Sequence, residues 1–173
     1  MPADSVDFLV MDVDGVLTDG RIIYTDSGEL IKAFDVTDGT GIKYWHRLGK
    51  GSAIISGRTS PTVDKRAAEL GIVHVFQGIK DKGPVLRVLM DTLKLEAARV
   101  AYVGDDLTDL PAMRMVGFPV AVCSARPEVL EAAQYVTSAP GGRGAVREAI
   151  EVVLKAQGLW EQILAHYRDG RAK

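Results

Sequence analysis

Short apolar runs recur along the chain, and a helical pattern follows most of them before the next run begins. The runs that predict strands cover residues 6–11, 52–55, 73–76, 100–103, 119–123 and 135–137. The patterns that predict helices cover residues 41–48, 61–70, 83–93, 107–115, 127–133 and 145–156. Apolar strands that alternate with helices are typical of an α/β fold: a doubly wound, Rossmann-like, mostly parallel sheet with helices on both faces. Ligands of such folds bind beyond the carboxyl ends of the strands.

Residues 20–35, soon after the first predicted strand, break this alternation. Two β-rich runs at 21–24 and 30–34 flank a turn that contains Gly28, which predicts a protruding β-hairpin. Apolar side chains on its arms are Ile22, Tyr24, Leu30 and Ile31. Because an isolated hairpin is only marginally stable in water, we expect a partner surface to cover them.

The length of the chain, 173 residues, is that of one domain, residues 1–173. The hairpin and a tail at 158–173, predicted to dock as a helix and to fray beyond residue 168, leave too little chain for a cap domain. A formal net charge of −2 excludes a nucleic-acid module driven by bulk charge. No apolar run approaches the roughly 18 residues of a membrane span. Because Cys123 is the one cysteine, no intrachain disulfide forms, and the simplest location is a reducing cytoplasm.

Clustered carboxylates follow two of the predicted strands. Asp12 and Asp14 follow the first strand, and Asp105, Asp106 and Asp109 follow a later one. Carboxylates gathered at strand ends repel one another unless a cation or shared protons compensate. Oxygen ligands without a nearby His or Cys favour Mg²⁺. Taken alone, the first pair also fits a surface turn, and the second group also fits the first turn of a helix.

Two further polar groups lie between these clusters. Residues 56–58, Ser-Gly-Arg, end a predicted strand and offer either an anion site or a helix N-cap. Lys82 directly precedes a predicted helix. It is either a solvated surface lysine or a point charge that lies between a phosphate and the carboxylates. Together these residue types suit phosphoryl transfer through an aspartyl-phosphate. Asp12 is then the nucleophile, and Asp14 is the general acid and base.

The order of these motifs resembles that of the haloacid dehalogenase-type phosphatases. The matching motifs are the Asp-Val-Asp-Gly stretch that starts at Asp12, the Ser-Gly-Arg stretch that starts at Ser56, Lys82, and the Gly-Asp-Asp stretch with a further aspartate at 104–109. The first and last of these are specific in combination, whereas the other two are weak alone.

The resemblance implies a set of metal ligands. It implies that Asp12, the backbone carbonyl of Asp14 and Asp105 hold Mg²⁺. Asp106 and Asp109 would support the metal site, with Asp109 the more structural of the two.

The resemblance also implies the groups that bind the substrate. Ser56 and Lys82 would hold the transferring phosphoryl group. The other residues expected to contact the substrate are Arg58, Arg66, Asp38 and Gly57. If the substrate is a sugar acid, its carboxylate needs a cation, and the two arginines are the candidates.

Within the family, the chain most resembles a small capless branch that hydrolyses phosphorylated keto-deoxy sugar acids. The matching stretches run from residue 8 to about residue 151. The resemblance implies a homotetramer in which the hairpin and the C-terminal segment contact neighbouring subunits. Residues 140–145, which are glycine-rich, fit either a segment that reaches a neighbour's site or an ordinary loop before a helix.

Three alternatives stay open at this point. Arg58 favours an eight-carbon substrate, whereas a sibling branch with a nine-carbon substrate tends to carry Glu at this position. A receiver-like signalling domain shares the acidic pocket, the hydroxyl and the lysine, but the position of Asp14 two residues after Asp12 argues for turnover. A non-catalytic oligomerisation module fits less well, because both acidic sets are intact.

Overall fold

The computed structural model describes residues 2–168, so the end of the predicted tail, residues 169–173, lies outside the described residues. The strands are β1 (Phe8–Met11), β2 (Ile23–Tyr24), β3 (Leu30–Ile31), β4 (Gly51–Ile55), β5 (His74–Phe76), β6 (Val100–Gly104), β7 (Phe118–Ala121) and β8 (Tyr135–Val136). The α-helices are α1 (Val36–Arg47), α2 (Pro61–Leu70), α3 (Lys82–Leu93), α4 (Leu110–Met113), α5 (Pro127–Ala132), α6 (Ala145–Ala156) and α7 (Trp160–Arg168). Short 3₁₀ turns cover Pro2–Ser5, Ala97–Arg99 and Leu107–Asp109.

A six-stranded sheet in the order β5-β4-β1-β6-β7-β8 forms the centre of the protein. Every neighbouring pair in it is parallel. All residues of β1 and β6 are buried, as expected for strands that are covered on both faces. The predicted doubly wound α/β fold is confirmed.

The register of the central strands determines where the site forms. Met11 of β1 lies opposite Ile54 of β4 and Val103 of β6. The loops that follow these three strands therefore leave the sheet at the same edge. They contain the predicted aspartates and the Ser-Gly-Arg motif.

The hairpin pairs Ile23 with Ile31 and Tyr24 with Leu30, in antiparallel register. Each of its strands is only two residues long. Exposed apolar side chains on it are Ile22, Ile23, Tyr24 and Ile31. The hairpin of the single chain thus leaves these apolar side chains uncovered, and the partner surface expected to cover them stays a prediction.

Helix α1 begins at Val36, five residues before the predicted start at residue 41, so that prediction was wrong. Two glycines, Gly39 and Gly41, obscure the helical pattern. The Asp35 carboxylate caps the helix by accepting a hydrogen bond of 2.6 Å from the backbone N–H of Thr37. The predicted helix at 107–115 is also shorter in the structure, where a 3₁₀ turn precedes α4.

Helix α7 packs against the rest of the chain through aromatic rings. Tyr44 of α1 meets Trp160 and Tyr167 edge to face, at centroid distances of 6.1 and 5.6 Å. Ile163 of α7 is buried. Within residues 2–168, none of the helices combines the length and the apolarity that crossing a membrane requires.

Candidate active site

The loops after β1, β4 and β6 enclose a cleft of about 510 Å³ at the carboxyl edge of the sheet. The residues that line it are Asp12, Asp14, Gly57, Arg58, Lys82, Asp105, Asp106 and Thr108. Most of the predicted site residues therefore come together in one place. This is the position at which doubly wound folds bind their ligands.

A buried charge cluster forms the floor of this cleft. Lys82, the first residue of α3, lies with its Nζ 2.9 Å from Oδ1 of Asp12 and 2.7 Å from Oδ1 of Asp109. All three side chains are buried, which excludes the solvated position considered for Lys82. Burial by itself lowers the pKa of Lys82, but the charges of Asp12 and Asp109 outweigh burial and raise it. Lys82 therefore carries a permanent positive charge beside the predicted nucleophile.

Asp109 holds the cluster together through four hydrogen bonds. Its Oδ1 accepts from Lys82 Nζ at 2.7 Å and from the Tyr102 hydroxyl at 2.8 Å. Its Oδ2 accepts from the backbone N–H groups of Asp105 and Asp106, at 2.9 and 3.2 Å. Through the two bonds to its Oδ2, Asp109 fixes the backbone of the second acidic loop at Asp105 and Asp106.

Tyr102 is a participant that the sequence did not single out. It is fully buried in β6, and burial together with the charges of Asp109 and Asp12 raises its pKa well above the ordinary value. The hydroxyl therefore stays protonated and donates to Asp109. The available signal was a hydroxyl-bearing residue inside an otherwise apolar strand.

The carboxylates at the floor form a donor set that fits a hard divalent cation. One oxygen from each of Asp12, Asp105 and Asp109 lies within 4.8 Å of the others. Among the residues that the structure describes, Oδ1 of Asp105 is buried without a hydrogen-bond partner, and the buried Oδ1 of Asp12 is compensated by the Lys82 ammonium at 2.9 Å. Burial and then the neighbouring carboxylates raise the pKa of Asp12 to about 6 and that of Asp105 to about 7. A cation such as Mg²⁺ would satisfy the unpartnered oxygen of Asp105 and offset the repulsion among these carboxylates.

Gly15 allows the two acidic loops to approach each other. Its φ is +93°, a left-handed conformation that favours glycine. A Cβ at this position would collide with the carboxylate of Asp105. The close approach of the Asp12 and Asp105 loops therefore depends on the absence of a side chain here.

Asp14, the predicted acid and base, faces two cations. Its Oδ1 forms an ion pair with Nζ of Lys32, and its Oδ2 lies 3.9 Å from Nε of Arg58. The Lys32 side chain, which follows β3 in the hairpin, is only 2% exposed. Sequence reasoning missed Lys32. The signal that could have found it is one basic residue within the otherwise apolar second arm of the hairpin.

The Ser56–Arg58 motif sits at the rim of the cleft rather than at a helix end. Ser56 is buried, and its Oγ accepts a hydrogen bond of 3.4 Å from the backbone N–H of Arg58. The N-cap of α2 is Ser60, so the alternative interpretation of Ser56 as an N-cap was wrong. Any anion held here meets the loop N–H groups and the hydroxyl, not the N-terminus of α2.

Arg66 does not reach the cleft. It lies in a separate groove of about 340 Å³, lined by Phe34, Val36, Thr62, Lys65, Arg66 and Glu69. Its guanidinium donates to the backbone carbonyl of Asp35 at 3.3 Å and pairs with Glu69 at 3.4 Å. Within one chain, Arg58 and Arg66 therefore face two different crevices.

Asp38 also lies away from the cleft, which corrects its expected contact with substrate. Its side chain is 1% exposed. Its two oxygens accept hydrogen bonds from the backbone N–H groups of Arg147, at 2.8 Å, and Gly144, at 3.3 Å. A carboxylate enclosed in this way has no surface left for a ligand.

Residues 140–144 pack against their own chain. The backbone N–H of Gly142 donates to the carbonyl of Val16 at 2.8 Å, and that of Gly141 donates to Oγ of Ser124 at 3.2 Å. The segment expected to reach a neighbour thus lies on the loop that follows β1 of the same subunit. Of the rest of the C-terminal segment, α7 docks on its own chain, and residues 169–173 are outside the described residues.

The chain belongs to the haloacid dehalogenase-like hydrolase family, whose profile matches residues 67–150. Curated relatives match over more of the chain. The 3-deoxy-D-manno-octulosonate 8-phosphate phosphatase of Salmonella typhi is 47% identical over 156 residues, which are 90% of this chain and 83% of that protein. The enzyme of the same name from Escherichia coli K12 is 46% identical over the same shares of the two chains.

Solved structures agree with this placement. The Moraxella catarrhalis 3-deoxy-D-manno-octulosonate 8-phosphate phosphatase, crystallised with magnesium, phosphate and KDO, is 43% identical and superposes with a TM-score of 0.94, covering 96% of this chain and 95% of that one. The cobalt-bound enzyme from Haemophilus influenzae is 42% identical with a TM-score of 0.88, covering 91% and 92%. This near-complete mutual coverage confirms the capless α/β fold.

Proposed function

We propose that this chain is a Mg²⁺-dependent phosphatase that hydrolyses 3-deoxy-D-manno-octulosonate 8-phosphate (KDO 8-phosphate) to KDO and inorganic phosphate, a step towards lipopolysaccharide precursors in the cytoplasm. The observation that carries the proposal is the cleft in which Asp12, Lys82 and Asp105 converge at the carboxyl edge of the sheet. The identity of 46–47% with phosphatases of this substrate, over 90% of the chain, supports the choice of substrate.

The first half of the reaction uses Asp12 as the nucleophile. Its carboxylate attacks phosphorus while the bond from phosphorus to the C8 oxygen of the sugar breaks, which leaves an aspartyl-phosphate. Asp14 gives its proton to the departing oxygen. Lys82, 2.9 Å from Asp12, offsets the repulsion between the anionic nucleophile and the anionic phosphate.

The second half uses Asp14 as a base. Its carboxylate takes a proton from the water whose oxygen attacks the aspartyl-phosphate, and this releases phosphate and regenerates Asp12. The ion pair with Lys32 and the nearby guanidinium of Arg58 hold the Asp14 side chain in place at the edge of the cleft.

The remaining groups at the cleft bind and orient. The Ser56 hydroxyl and the backbone N–H of Gly57 are the candidates for holding phosphoryl oxygens at the end of β4. Arg58 lines the same cleft and suits the carboxylate of the sugar acid.

Mg²⁺ would be held by Asp12, Asp105 and the backbone carbonyl of Asp14, with Asp106 and Asp109 behind them. When bound, the ion supplies charge neutralisation for the phosphoryl oxygens and fixes their orientation. The convergence of the Asp12 and Asp105 carboxylates, and the unpartnered buried oxygen of Asp105, are the structural reasons for placing it there.

We infer a homotetramer assembled through the hairpins. The exposed hairpin side chains, Ile23, Tyr24 and Ile31, offer an apolar surface of the kind that subunit contacts cover. The groove that holds Arg66 is separate from the cleft, so Arg66 of a neighbouring subunit is the natural source of a second arginine. Light scattering at micromolar concentration tests this, and a monomer would contradict it.

The decisive experiment measures phosphate release from KDO 8-phosphate, from a nine-carbon keto-deoxy sugar acid 9-phosphate and from p-nitrophenyl phosphate, with and without Mg²⁺. We expect the eight-carbon substrate to be preferred, and we expect Asp12→Asn to abolish its turnover. Asp91→Asn, at an exposed aspartate in α3 that does not line the cleft, is the matched control and retains activity. Preference for the nine-carbon substrate would assign the sibling activity. Undiminished turnover in Asp12→Asn would overturn the mechanism.

A further inference from the structure

Helix α6 begins without a capping side chain of its own. Its N-cap is Gly144, which has a φ of +94° and forms no side-chain cap hydrogen bond. The free N–H groups of a helix N-terminus need acceptors when they are buried. Asp38 of α1, more than 100 residues earlier in the chain, supplies them by accepting from Gly144 at 3.3 Å and from Arg147 at 2.8 Å. The cap of α6 is therefore provided by another helix.

The segment directly before this cap holds the loop after β1. Gly142 donates its backbone N–H to the carbonyl of Val16 at 2.8 Å. A Cβ on Gly141 would collide with the carbonyl of Gly15, and one on Gly142 would collide with the backbone of Thr18. Two consecutive glycines thus allow the backbone of the 141–142 turn to contact the backbone of the loop after β1, a few residues from Asp12 and Asp14.

We propose that Asp38 is a positioning residue for the active site, acting through the N-terminus of α6 and the 141–142 turn to hold the loop that carries Asp12 and Asp14. This rests on the proposed role of that loop in phosphate chemistry and Mg²⁺ binding. It replaces the substrate contact that the sequence had suggested for Asp38.

The electrostatics of Asp38 fit this role. Burial raises its pKa to about 6, although the backbone N–H bonds oppose the rise. At neutral pH the group is therefore charged, and hydrogen bonds to a charged acceptor are roughly twice as strong as neutral ones. The positive end of the α6 dipole adds to this stabilisation.

Asp38→Asn is the variant that tests the coupling. The amide keeps the shape of the carboxylate but puts an N–H₂ group where one acceptor oxygen was. We expect the concentration of Mg²⁺ that gives half-maximal thermal stabilisation to rise roughly tenfold, the factor associated with losing about one charge-assisted hydrogen bond. We also expect kcat to fall more than KM changes, because the loop that bears the nucleophile is misplaced.

Hydrogen exchange of the Mg²⁺-free protein gives a readout that does not depend on activity. We expect faster exchange in Asp38→Asn at residues 13–18 and 141–144, while β4 and β6 keep their protection. Gly142→Ala, which disturbs the same contact from the other side, should show the same pattern and the same Mg²⁺ shift. Glu151→Gln is the matched control, because it removes ion pairs with Arg147 and Lys155 on the same helix without touching the turn.

The outcomes separate this proposal from the proposed function. If Asp38→Asn loses global stability but keeps normal exchange at residues 13–18 and normal Mg²⁺ dependence, Asp38 is only a structural cap and the positioning role is refuted. An equal Mg²⁺ shift in Glu151→Gln would refute it as well. If no sugar acid phosphate is hydrolysed but both the exchange pattern and the Mg²⁺ shift appear, the coupling stands and the substrate assignment fails.

Discussion

Replacing Lys82 by Met removes the one cation buried between Asp12 and Asp109. The methionine fills a similar volume, so the change is mainly one of charge. Two buried carboxylates then face each other, and the pKa of Asp12, already about 6, rises further. We expect Lys82→Met to lower both the free energy of unfolding and the rate of phosphate release.

The magnitude follows from the two contacts of Lys82. At 2.9 and 2.7 Å, each attraction is worth roughly 6 kcal/mol at an effective dielectric constant of about 20. Desolvation of the buried ammonium opposes this by several kcal/mol. Removing one partner from such a buried cluster costs about 3–5 kcal/mol, because the charges that remain are left uncompensated.

Urea denaturation in the absence of Mg²⁺ measures this loss, with Lys80→Met, at an exposed lysine two residues away, as the control. The loss should be largest at pH 7 and smaller at pH 5, because protonation of Asp12 relieves the repulsion. The double variant Lys82→Met/Asp109→Asn should recover stability but not phosphatase activity. A stability loss below about 1 kcal/mol in the single variant would refute the buried-cluster argument.

Three further predictions concern the metal and the acid/base group. Because the pKa values of Asp12 and Asp105 are raised to about 6 and about 7, the folded Mg²⁺-free protein binds protons at a higher pH than the unfolded chain does. Its urea midpoint should therefore fall as pH rises from 5 to 7, and saturating Mg²⁺ should flatten this dependence; a midpoint that rises with pH would contradict the assignment. Lys32→Met should lower kcat in steady-state assays, and Lys32→Arg should retain part of it, whereas an unchanged kcat in the Met variant would make the ion pair with Asp14 incidental. Gly15→Ala should weaken Mg²⁺ binding in a thermal-shift titration, since its Cβ meets Asp105 at a left-handed φ; an unaltered titration would show that the loops can separate without cost.

The parts of the fold and site that depend on local pattern could be predicted from the sequence. The short apolar strands that alternate with helices predicted the parallel sheet. Because parallel strands bring their carboxyl ends to one edge of a sheet, they also predicted that Asp12, Asp105 and Ser56 lie close together. Lys82 was found because it joins a set of residue types that one reaction needs. These inferences required only the order of elements and the chemistry of side chains.

Long-range contacts were beyond this kind of reasoning. Lys32 contacts Asp14, 18 residues earlier in the chain, because the second arm of the hairpin returns to the loop after β1, and the sequence pattern of the hairpin does not show this return. Asp38 caps a helix that begins more than 100 residues later, so nothing in its own neighbourhood indicates the partner. Glycines at 39 and 41 weakened the helical signal of α1, although Gly41 is what lets α1 approach Arg147.

The positions of the two arginines determine how many of them a single chain can offer to one bound substrate. Arg58 lines the cleft beside Asp14, whereas Arg66 lies in a groove next to the hairpin and is engaged with Glu69 and the Asp35 carbonyl. One substrate bound in the cleft of an isolated chain would therefore meet Arg58 alone. For both arginines to meet one sugar acid, the second must come from another copy. If the proposed tetramer contact brings that copy, assembly of the subunits and completion of the substrate site are one event.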